Sequence, residues 1–117
     1  MFARFEGTDE GVDDMRARFL TVPINERGIE EYDHGIENTE NMIEIMLPEK
    51  EYVELKESGI FEFINEKCDL LIDDYESEII DADDLRKCIT QIELHKGIFL
   101  DHAYQAMKYK TFLALDF

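Results

Sequence analysis

The run NMIEIMLP, residues 41–48, constrains the fold most tightly, because as a strand it is apolar on both faces. Alternate side chains of an extended chain point to opposite sides, so Ile43, Ile45 and Leu47 share one face while Met42 and Met46 lie on the other. Such a strand belongs near a sheet centre or beneath cover on both sides. Pro48 then falls where the first turn of a helix accepts it, and EKEYVELKE continues with good helix formers until Ser58 and Gly59 interrupt.

The flanking segments fill in the layers. MFARFE reads as an opening strand closed by turn residues Gly7 to Gly11, and VDDMRARFL places Val12, Met15 and Phe19 at helical spacing. Thr21 to Arg27 contains a proline, ends at Gly28 and reads as a connection. IEEY follows as an edge strand blunted by Glu30 and Glu31, joined to NMIEIML across Asp33 to Glu40. From Ile60 a helix carries Phe61, Ile64, Cys68, Leu71, Ile72 and Tyr75 on one stripe and Phe63 and Leu70 on a second. The second stripe is either covered by neighbouring elements or is an apolar interface. DLRKCITQIELH puts Leu85, Cys88, Ile89 and Ile92 on one face, Ile98 to Tyr109 forms a last helix, and TFLALDF closes as a strand. The order strand, helix, strand, strand, helices, strand predicts a single α+β domain over residues 1–117. Its four-stranded, mainly antiparallel sheet is of the split βαβ kind, with a helical block packed on one face.

The formal net charge of −17 decides which partners suit such a domain. An apolar content of 44%, with eight Phe and five Tyr, argues for a folded chain despite that charge. The resulting field repels nucleic acid and anionic lipid and attracts basic proteins. No apolar stretch approaches the ~20 residues that cross a bilayer, so a cytoplasmic protein without a membrane partner is expected. Cys68 and Cys88, on apolar stripes, read as free core thiols of a reducing compartment.

Catalytic and metal signatures are missing. Ser58, Ser77 and the two cysteines lack a positioned base in the pattern, and HExxH, CxxC, GxGxxG and P-loop motifs do not occur. A helical di-iron site needs Glu three positions before His, but Ile92 and Phe99 precede His95 and His102, and His34 lies beside Gly35 in a loop. No catalytic residue, metal ligand or cofactor is assigned.

The densest acidic stretch, DDYESEIIDADD, holds seven carboxylates between residues 73 and 84. It is read as a joint between helices. Neither calcium-loop register survives: starting at Asp73, Tyr75 takes the third place and Glu78 the sixth; starting at Asp74, Ile79 takes the sixth. Its second half suits a helix entrance, with Asp81 as N-cap, Asp84 at the third helical position and Ile80 stapled to Leu85. Asp73, Asp74, Glu76 and Glu78 around Tyr75 remain as a candidate acidic contact surface, with Tyr75 or Phe63 as aromatic anchor.

In size, acidity and layout the chain resembles the small cytosolic immunity proteins of bacterial polymorphic toxin systems. The resemblance runs through FARFEGTDEG as opening strand and turn, IIDADDLRKCITQIE as late helix, and TFLALDF as closing strand. It implies a non-catalytic protein that binds and neutralises a basic partner, such as a toxin or nuclease. The rival readings are a nucleic-acid mimic, a small hydrolase or transferase with a carboxylate pair, and a regulatory subunit of generic acidity.

Overall fold

A computed structural model describes residues 17–117 as an α+β domain whose four strands form one antiparallel sheet. In chain order the elements are β1 (Phe19–Pro23), α1 (Glu26–Asp33), β2 (Met42–Met46), α2 (Glu49–Ser58), α3 (Ile60–Cys68), β3 (Ser77–Asp81), α4 (Ala82–Ile92), α5 (Ile98–Tyr109) and β4 (Phe112–Asp116). The strand order is β2-β1-β4-β3, so β1 and β4 are central and the closing strand pairs beside β1. The expected strand at MFARFE, and most of the expected helix after it, lie outside the described residues.

Register assigns each side chain to a face. On one face lie Ile43 and Ile45 of β2, Leu20 and Val22 of β1, Leu113 and Leu115 of β4, and Ile80 of β3. These join the main core with Tyr52, Phe61, Ile64, Leu85, Ile92 and Phe99, which come from α2 to α5. The aromatic rings of Phe61 and Phe99 meet edge to face at 5.7 Å. The helical block on one face, the closing strand and the existence of a strand at NMIEIML follow the sequence expectation, but among the described residues β2 is an edge strand rather than a central or doubly covered one: it pairs only with β1, and Met46 is exposed.

Three segments are corrected. Phe19 opens β1 rather than closing a helix, and FLTVP is a central strand rather than a connection. Pro23 is tolerated there because it pairs only with Met42 of β2; the ladder to β4 stops at Thr21. IEEY is helical: the Asn25 side chain caps α1 by accepting from the Gly28 N–H at 2.8 Å. Gly28 is a contact position, since a Cβ there would stand 2.0 Å from the Asn41 carbonyl oxygen. Its missing side chain lets α1 lie against the β2 approach and Pro23, on the sheet face opposite the main core. Tyr32 then packs edge to face on Phe112 at 5.6 Å.

The third correction is the acidic stretch, whose middle is β3 rather than a joint. α3 stops at Cys68 because Asp69 takes the left-handed conformation, with φ 58°. Asn65 continues the order by accepting from the Ile72 N–H at 2.7 Å and donating to its carbonyl at 3.1 Å. Ile72 is thereby buried without being helical, while Leu71 and Tyr75 remain exposed. Asp81 ends β3 and caps α4, accepting from the Asp84 N–H at 2.8 Å as expected.

Candidate functional site

The carboxylates of the first half of the acidic stretch are largely committed within the molecule. Arg18, only 5% exposed, lies with its guanidinium carbon 3.8 Å from the centre of the Tyr52 ring. It pairs with Glu49 and, at 3.1 Å, with Asp74. Asp74 also accepts from the Tyr52 hydroxyl and, at 3.0 Å, from Lys56, which reaches Asp73 at 3.6 Å. Burial alone would raise the Asp74 carboxyl, but the hydrogen bonds from Tyr52, Lys56 and Arg18 outweigh it and bring it down to about 2. Glu78 accepts from the Leu71 N–H at 2.9 Å, and the Glu76 carbonyl accepts from the Phe117 N–H at 3.1 Å. The carboxylates of Asp73, Asp74 and Glu78 and the backbone of Glu76 thus brace the α3–β3 connection, and Tyr75 stands exposed beside them with φ 67°. Phe63 and Leu70 are half-buried and pack against the core.

A second acidic surface lies on the other face of the sheet. Here the cross-strand rows read Met46–Phe19–Asp116–Ser77 and Glu44–Thr21–Ala114–Ile79. Tyr32 of α1 packs on Phe112, and Phe112 and Ala114 are buried, but Phe19, Met46 and Ile79 are exposed. Between the strands and the end of α1 runs a groove of about 540 Å³, within the size range of small-ligand sites. Phe19, Met42 and Ile36 give it apolar walls, and Tyr32 adds an aromatic one.

Four carboxylates line this groove: Asp33 and Glu37 from the end of α1 and the following loop, Glu44 from β2, and Asp116 from β4. Among the described residues no Lys, Arg or His lines it, and none of the four carboxylates enters an ion pair. Two are nevertheless held in place. Asp116 accepts from the Ser77 hydroxyl at 2.8 Å, while Glu44 accepts from the Asn38 N–H at 3.2 Å. Burial, then the charge and hydrogen bonding of Asp116, then the charges of Asp33 and Glu37, push the Tyr32 hydroxyl up to about 12. The groove is therefore a negative cavity, partly preorganised and without a counter-cation among the described residues.

Other chemistry is thinly represented. Among the described residues no three His, Cys, Asp or Glu side chains are grouped to hold a metal ion. The imidazoles of His34 and His102 each lie 2.8 Å from a carbonyl of their own helix or its cap. Cys68 and Cys88 are free thiols with their sulfurs 3.7 Å apart, and burial together with the neighbouring thiol pushes Cys68 up to about 12. No helix of the described residues is long and apolar enough to cross a membrane.

No protein-family model matches the chain, and neither a curated protein nor a solved structure matches it. The functional reading therefore rests on the residues themselves.

Local sequence pattern did not single out Asp33, Glu37, Glu44 and Asp116, because they lie far apart along the chain and meet only through strand register. One signal was present: Glu44 interrupts the apolar run MIEIM, and Asp116 interrupts FLALDF. A carboxylate on a sheet face beside apolar residues marks a face that is not wholly covered.

Proposed function

We propose that this chain is a non-catalytic binding protein for a basic protein partner, in the manner of an immunity protein, and that the groove beneath α1 is its contact face. One observation carries the reading: Asp33, Glu37, Glu44 and Asp116 line an apolar-walled cavity that no cation of the described residues enters. Like charges gathered without a counter-ion raise the energy of the free protein, and a basic partner relieves that cost on binding. The acidic stretch supports the reading less well, since Asp73 and Asp74 already have Lys56 and Arg18. The free thiols of Cys68 and Cys88 support a cytoplasmic setting.

Capture of partners from a native extract by the tagged full chain, followed by mass spectrometry, tests this. A protein of high isoelectric point is expected on the wild type and on a Asp73→Lys/Glu76→Lys variant, and lost on a Glu44→Lys/Asp116→Lys variant that keeps its circular dichroism. Equal capture by the wild type and the groove variant would reject the groove as the contact face.

A further inference from the structure

The binding reading leaves open what enters the groove. We infer that it receives an arginine side chain presented by the partner protein, an inference that rests on the proposed binding role of the same site. Three features converge on that side chain. The walls are apolar and aromatic, through Phe19, Met42 and Tyr32, which suits an aliphatic stem and a flat guanidinium face. The polar groups are carboxylates from separate elements, Glu44 on one side of Phe19 and Asp116 on the other, so a donor with several N–H groups can engage more than one. Asp116 and Glu44 accept from Ser77 and Asn38, yet a carboxylate accepts about four hydrogen bonds, which leaves acceptor capacity on two residues that line the cavity. Lysine satisfies the charge but not the planar, multi-donor fit. An uncharged partner leaves the four carboxylates uncompensated, and an anionic one adds to their repulsion.

The probe is a blocked pentapeptide with one arginine between two leucines, titrated into the isotopically labelled full chain and followed by NMR. Saturable, millimolar binding is expected, with shifts concentrated at Phe19, Thr21, Tyr32, Glu44 and Asp116. Replacing arginine by citrulline, which keeps the shape and removes the charge, should weaken binding by about tenfold or more, and lysine should bind more weakly than arginine. Glu44→Gln and Asp116→Asn should each weaken the arginine peptide without altering the circular dichroism. Equal binding of the citrulline or lysine peptide, shifts centred on Asp73 to Glu78, or no saturable shift would overturn the inference. If the peptide fails while groove charge reversal still abolishes partner capture, the arginine assignment falls and the binding role stands. If both fail, both fall.

Discussion

At the scale of single residues the contrast is between two aspartates. Asp74 and Asp116 both accept from a hydroxyl, of Tyr52 and of Ser77, but Asp74 also has Arg18 and Lys56 while Asp116 has no ion-pair partner among the described residues. The first arrangement is stabilising: removing Asp74 leaves Arg18 buried with a partner lost, besides an Nε that already lacks one. Because the folded Asp74 carboxyl lies near 2, below its ordinary 3.8, its contribution is fully present above pH 4 and disappears as pH falls through about 2. Asp74→Asn should therefore lower stability at neutral pH by about 1 kcal/mol, a figure discounted because part of the side chain stays in water. Denaturant unfolding of both proteins from neutral pH to about pH 2 checks it, and the gap should close toward the acid end. A gap independent of pH would show that the carboxylate charge is not what holds the cluster.

Elements show where the pattern was legible and where it was not. β2, α2, the start of α3, α4, α5 and β4 were readable as elements, though not the edge position of β2, since each carries a recognisable apolar period or its own cap or break, such as Pro48, Gly59 with φ 87° or Asp81. β1, α1 and β3 were misread for a common reason: tertiary contacts decided residues that look like punctuation. Pro23 occupies the end of a ladder, Gly28 makes room for a backbone carbonyl, and the Ser77–Asp81 strand is recruited from an acidic run by pairing with β4. The groove was illegible for the same reason. Its carboxylates belong to α1, the loop after it, β2 and β4, and strand pairing alone brings them together.

α1 also carries a charge in an unfavourable place. Asp33 stands in its last turn, at the negative end of the helix dipole, with no basic residue in that turn to offset it. A residue placed at a cost to stability is a candidate for function, since activity and stability trade off at binding sites. Asp33→Asn should accordingly raise stability by about 0.3–1 kcal/mol, read as a higher thermal midpoint, while reducing affinity for the basic partner. A variant that is less stable would mean that Asp33 holds the fold rather than the contact.

The whole molecule carries a net charge of −17, and its described residues hold their acids in two different ways. Around Arg18, Asp74 and Glu49 are paired with cations inside the molecule; across the sheet, beneath α1, Asp33, Glu37, Glu44 and Asp116 have no ion-pair partner among the described residues, and it is this second group that the proposed binding role uses. The most direct measurement is calorimetric titration of the captured partner with the full chain, repeated at low and at physiological salt. Affinity should fall as salt rises, and the Glu44→Lys/Asp116→Lys variant should lose both the affinity and its salt dependence, whereas Asp73→Lys/Glu76→Lys should retain both. The opposite outcome, loss with the Asp73/Glu76 variant and retention with the groove variant, would contradict the assignment.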